Sequence, residues 1–235
     1  MTDAQNLDQP ASPAAPLRID IVSDVVCPWC YIGKRRLERA LETAGLDAVK
    51  IGWRPFQLNP EMPEEGQDRR SYLKMKFGGD GSGGSMYDAI QAAGTEERIP
   101  FEFSRIETQP NTVKAHRLIY YGGEQGCQDA VVEGLFIAYF TDGQNIGDTD
   151  VLVAVAVAAG LDGDATRAYL DSDEDADRIR NEDQVARQMG VQGVPCFIIN
   201  RKYAVSGAQD PSVFLQIFEK IANGDGDDEQ AGADV

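Results

Sequence analysis

The sequence predicts an α/β chain whose terminal strands join one sheet, with a large all-helical insertion between them. Three observations carry that expectation. Leu17-Arg18-Ile19-Asp20-Ile21-Val22 alternates and is β-branched like a strand, and at Pro28 the apolar period becomes helical. From about Met62 to Met189 the spacing is mainly helical. Strand texture returns near Val194 and closes in a helix, so β elements at both ends can share a sheet.

Each element follows in order. Residues 1–16 are rich in Ala, Pro, Asp and Gln and are expected to be a disordered leader. Residues 17–61 form the first half of the sheet-bearing unit. After the first strand, Ile32, Leu37, Leu41 and Ala44 share a helix face, Pro28 suits the first turn and Gly45 suits the C-terminal cap. Val49 to Phe56 reads as the second strand, completing a βαβ unit with Cys27 at its helix N-terminus. Residues 62–189 are the helical insertion, with helical spacing at 69–77, 86–94, 112–121, 130–140, 149–160 and 162–170. Its Gly78–Gly84 run is a flexible connection that lacks the Lys-Ser/Thr ending of a phosphate loop. Residues 190–222 supply a strand from Val194, a turn at Asn200-Arg201-Lys202, a strand over 203–207 and a helix from Pro211. The acidic stretch 223–235 is expected to be a disordered tail.

Composition narrows the function classes. The 235 residues are 42% hydrophobic and 26% charged, ordinary for a globular protein, and the net charge is −17. Such an acidic chain repels phosphate backbones and anionic bilayers, which counts against nucleic acid and membrane surfaces as partners. The most apolar run, 151–159, is about half the roughly 20 residues of a membrane helix and suits a buried one. The first eight residues carry neither a basic n-region nor an apolar h-region, so a cytoplasmic location is expected. Four cysteines are too few for a disulfide scaffold in a chain this long. In a reducing compartment, a Cys-x-x-Cys pair points to catalysis or metal binding.

That pair is Cys27-Pro28-Trp29-Cys30. Two cysteines three apart across a helix start place both sulfurs on one side of the first turn. The first sits where free backbone N–H groups and the positive end of the helix dipole favour a thiolate. Cys27 is therefore the expected nucleophile and Cys30, one turn further in, the resolving thiol. Pro28 stiffens the turn, and Trp29 offers a flat apolar surface beside the nucleophile. Three other readings stay open: two unrelated core cysteines, a structural disulfide, or half of a zinc site completed by Cys127, Cys196 or His116. No second Cys-x-x-Cys or His pair supports the last.

The segment Cys27-Pro28-Trp29-Cys30-Tyr31-Ile32-Gly33, with Gly193-Val194-Pro195 far downstream before a strand, resembles the DsbA-like thioredoxin superfamily. More narrowly, it resembles the FrnE-like cytoplasmic branch, related to 2-hydroxychromene-2-carboxylate isomerases. Supporting segments are 55–60, 111–118 and 205–209, and the resemblance covers roughly residues 17–222. It implies a thioredoxin fold (βαβ…ββα) split by the insertion, with 17–61 and 190–222 as its two halves. It also implies a cis peptide at Val194–Pro195, in a loop against the cysteine pair whose residue before proline pairs with substrate.

The function expected is thiol–disulfide oxidoreductase or isomerase on protein or low-molecular-weight thiols and disulfides. No cofactor is required, glutathione is a candidate redox partner, and the protein is expected to be a monomer or homodimer. Two alternatives are a glutathione-dependent small-molecule isomerase or transferase, and a chaperone-like or zinc-binding module. The isomerases typically carry Ser where Cys27 stands, so the paired thiols argue against the first. His116, the lone histidine, is either a satisfied helix residue or a group that stabilises the Cys27 thiolate or contacts substrate. Cys196 is either a small buried hydrophobe or a third thiol near the pair, and Cys127 has no assigned role.

Overall fold

Strand β1 (Leu17–Ser23) sends Ile19 and Ile21 to one face and Val22 to the other, and all three are buried. A strand covered on both faces belongs at the centre of its sheet. In this computed structural model, which describes residues 16–78 and 84–224 and only the backbone at Ser85, β1 is indeed central. Residues 1–15 of the expected leader, 225–235 of the expected tail and most of the glycine-rich connection lie outside the described residues.

Helix α1 (Pro28–Ala44) follows β1 and ends at Gly45, whose φ of 63° is the left-handed cap that glycine tolerates. The chain returns in β2 (Val49–Pro55), parallel to β1 from Leu17↔Val49 to Ser23↔Pro55. A two-residue strand β3 (Gln67–Asp68) leads into α2 (Arg69–Phe77) and α3 (Gly84–Glu96). A second short strand, β4 (Thr108–Gln109), pairs antiparallel with β3. This ribbon lies inside a stretch whose sequence reads as mainly helical, and two residues are too few to show a period of two.

Helices α4 (Val113–Glu124), α5 (Gln128–Phe140), α6 (Thr149–Ala158) and α7 (Gly163–Asp171) follow. Asp148 caps α6 by accepting from the Asp150 N–H at 2.7 Å. Helix α8 (Ala176–Gln188) does not stand out in the sequence as a separate element, because charged residues dominate it and leave a sparse apolar stripe. The chain ends in β5 (Cys196–Ile199), β6 (Tyr203–Ser206) and α9 (Pro211–Ala222). Asn200 and Arg201, with φ of 51° and 59°, make the tight turn between β5 and β6.

The sheet order is β2-β1-β5-β6. Its main core lies between the Ile19/Ile21 face, α1, α9 and the helical block, with Tyr31 stacked on Phe136 at 4.8 Å and Phe197 edge-on to Phe214 at 4.9 Å. A smaller cluster of Val22, Phe56, Ala186 and Cys196 fills the opposite face. The fold is α/β of the thioredoxin type with a helical insertion, as the sequence predicts.

Topology brings the two ends of the chain together. Strand β5 runs antiparallel to β1 with Val22 opposite Cys196, so the residues just before Cys196 lie beside the end of β1. Cys27 follows that same end.

Candidate active site

Cys27 is the N-cap of α1, and its backbone N–H donates to the Asp24 carbonyl at 3.0 Å. No side chain caps this helix start. Pro28 occupies the first turn, where its missing N–H is no loss. Cys30, one turn on, donates its N–H to the Cys27 carbonyl at 3.0 Å. The two cysteines approach to 3.7 Å and are unbonded thiols. Cys27 is 5% exposed and Cys30 1%, so the first thiol is the more accessible.

Burial pushes the Cys30 thiol well above its ordinary pKa, and its hydrogen bond and charge interaction with Cys27 push the same way. Hydrogen bonds donated by the Ser23 hydroxyl and the Asp24 backbone N–H pull in the opposite direction.

The Val194–Pro195 peptide bond is cis, and the Cys27 thiol lies 3.5 Å from the Val194 carbonyl oxygen. The approach is close because residue 33 is glycine. A Cβ there would meet Pro195 Cγ at 2.9 Å and Phe197 Cζ at 3.0 Å. Trp29 is half-buried and, with Cys27 and Pro28, borders a cavity of 240 Å³.

His116 lies beneath the cysteine turn. Its Nε2 is 3.2 Å from the Phe56 carbonyl and 3.4 Å from Asp24 Oδ1. Both partners are acceptors, so Nε2 carries a proton. Asp24 is fully buried, and its other oxygen accepts from the Leu58 N–H at 2.7 Å. The polar contacts of His116 run to this support and not to the Cys27 sulfur.

The other cysteines stand apart. Cys196 packs with Val22, Phe56 and Ala186, across the sheet from the core that holds Cys27 and Cys30. Burial raises its thiol pKa as well. Cys127 is the half-buried N-cap of α5. Among the described residues, no three His, Cys, Asp or Glu side chains are placed to hold a metal ion.

No sequence motif singles out Asp24 or Arg69. Arg69 opens α2, borders the Cys27 cavity and is 6% exposed. A signal was present: a cation at a helix N-terminus opposes the macrodipole and asks for a local reason.

Comparison with known proteins agrees with this fold. A family model described as a DSBA-like thioredoxin domain matches residues 18–219, and the chain belongs to that family of thiol–disulfide oxidoreductases and isomerases. The chain is 30% identical over 203 residues to the uncharacterized protein YwbO of Bacillus subtilis, covering 84% of this chain and 94% of that one. Its fold matches a probable DsbA oxidoreductase, SCO1869 of Streptomyces coelicolor, with a TM-score of 0.80 at 32% identity, over 93% of each chain. The cytosolic disulfide reductase DsbM of Pseudomonas aeruginosa, solved with GSH, shares the fold alone. Its TM-score is 0.63 at 15% identity, over 88% of this chain and 99% of that one. Among the described residues, no helix is long and apolar enough to cross a membrane.

Proposed function

We propose that this protein is a cytoplasmic dithiol–disulfide exchange enzyme in which Cys27 is the nucleophile and Cys30 the resolving thiol. The observation that carries the proposal is the pair of unbonded thiols, 3.7 Å apart at the start of α1, with the outer one facing the Val194 carbonyl. Cys27 stands at the N-cap as the outer thiol, whereas burial keeps Cys30 protonated until it is needed.

The exchange runs in two steps. The Cys27 thiolate attacks one sulfur of a substrate disulfide, forming a mixed disulfide and expelling the other half as a thiolate that takes up a proton. Cys30 then loses its proton and attacks Cys27 Sγ, releasing the second half and leaving a Cys27–Cys30 disulfide. Two electrons pass to the substrate, and a second thiol pair or glutathione returns the protein to the dithiol. Val194 and Pro195 offer backbone to an extended substrate, and Pro28 and Trp29 shape the approach. His116 acts through Asp24 and the Phe56 carbonyl as a support of the turn. Substrates are protein or low-molecular-weight disulfides, and the protein works as a monomer or homodimer without a bound cofactor.

Titration against glutathione redox buffers, with tryptophan fluorescence and free-thiol counting, tests the proposal. A reversible two-electron transition is expected, and Cys30→Ser should accumulate a mixed disulfide on Cys27 alone. Absence of any transition, or trapping at Cys127 or Cys196 instead, would sink it.

A further inference from the structure

The cavity beside Cys27 has an unusual charge for this chain. Acidic residues outnumber basic ones 39 to 22, yet the charged side chains lining the cavity, among the described residues, are Arg69 and Lys76 alone. Arg69 is buried, and its guanidinium donates to the Gln109 side-chain oxygen at 2.7 Å and to the Tyr139 and Tyr87 hydroxyls at 2.6 Å each. All three acceptors are neutral, and no carboxylate among the described residues pairs with it. Lys76 likewise donates to the Tyr72 hydroxyl at 2.7 Å and to Asn59 Oδ1 at 3.1 Å. A buried cation is ordinarily matched by an anion, because desolvation without a partner is costly. The N-terminus of α2, where Arg69 stands, is capped by Asp68, which accepts from the Ser71 N–H at 2.8 Å and does not pair with the guanidinium.

From this we infer that the cavity takes a carboxylate of the disulfide substrate, with Arg69 and Lys76 selecting for acidic low-molecular-weight disulfides. The inference rests on the exchange activity proposed above. Gln109, Tyr139 and Tyr87 take three of the five guanidinium N–H groups of Arg69, two on Nη1 and one on Nη2, which leaves one on Nη2 and that on Nε for a carboxylate, and Lys76 adds an exposed positive charge at the rim. The volume of 240 Å³ is below the roughly 300–1,000 Å³ of pockets that enclose a whole ligand, so one arm of a small disulfide fits. The carboxylate arm would hold its adjacent sulfur against Cys27 for the first exchange step.

The test uses three probes of similar size: dianionic 3,3′-dithiodipropionate, neutral bis(2-hydroxyethyl) disulfide and dicationic cystamine. The rate of mixed-disulfide formation on Cys27 is followed by intact mass in Cys30→Ser protein. Each rate is divided by that probe's rate with free 2-mercaptoethanol, which removes differences in intrinsic reactivity. The normalised order should be anionic, neutral, cationic, with the anionic probe ahead of the neutral one by about tenfold or more. Adding Arg69→Gln should collapse that ratio toward one, Arg69→Lys should keep part of it, and Lys76→Gln should reduce it. Lys76 is exposed, so its substitution carries the test even where Arg69→Gln fails to fold. A ratio near one in the parent, or one that neither Lys76→Gln nor a folded Arg69 variant alters, overturns the inference while leaving the exchange activity standing. Failure of all three probes to react overturns the exchange proposal and this inference with it.

Discussion

At the scale of single residues, the two cysteines of one motif are made chemically unequal by their surroundings. Cys27 ends a β-conformation N-cap, while Cys30 is sealed beneath it, where burial disfavours its thiolate. A raised thiol pKa means that little thiolate exists near neutral pH and that reactivity grows as pH rises. In Cys27→Ser protein, iodoacetamide should therefore alkylate Cys30 at pH 8 at least about tenfold more slowly than it alkylates the unfolded chain's thiols. Equal rates would show that burial does not govern this sulfur. Cys196 lies across the sheet from the pair, so Cys196→Ser should leave disulfide-exchange rates within about twofold of the parent while lowering stability by about 1 kcal/mol. A changed redox midpoint in that variant would return Cys196 to the redox chemistry.

At the scale of elements, α1 must lie close to the Pro195 loop for Cys27 to face Val194. Gly33 is the residue that permits this. Gly33→Ala drives a methyl group into Pro195 and Phe197, and such overpacking costs about 1–3 kcal/mol. The melting temperature should fall by several degrees, and exchange should slow because the loop is pushed from Cys27. A Gly33→Ala protein with parental stability and rate would show that the contact is slack. Glycine and Val-Pro are both visible in sequence, but 162 positions separate Gly33 from Pro195, and nothing local announces that they touch.

At the scale of the whole molecule, the helical insertion is tied to the sheet-bearing part by charge as well as by the aromatic core. Lys34 of α1, 5% exposed at its side chain, meets Asp129 at 3.2 Å and Glu133 at 3.0 Å on α5, as well as Glu38 on its own helix. Arg35 also pairs with Glu133. Despite the opposing cost of burial, the carboxylates raise the Lys34 pKa, and the two cations lower that of Glu133. The sign follows from each direction. Glu133 contributes stability above its unfolded pKa and loses it as pH falls through its depressed folded value. Lys34 contributes below its unfolded pKa and loses it only as pH rises through its raised folded value. The network is therefore complete between about pH 5 and pH 10. Lys34→Met should lower stability by about 1–3 kcal/mol at pH 7, discounted for the exposure of Asp129 and Glu38, and by less at pH 4. Denaturant unfolding at the two pH values checks this, and equal losses at both would remove the charge argument.

Much of this is legible in the sequence, and the reason is locality. Strand alternation at β1, Pro28 at a helix start, Gly45 at its end and the Cys27–Cys30 spacing are short-range features whose physics acts over a few residues. They suffice for the fold class and for singling out Cys27 and Cys30 as the candidate pair. Tertiary structure alone decided which groups converge on that pair. His116 turned to Asp24 and Phe56, Cys196 crossed to the far face, and Arg69 met oxygens 18, 40 and 70 positions away. Burial and partnership depend on the path of the whole chain, so the charge balance of the cavity emerges only when the distant segments are packed together.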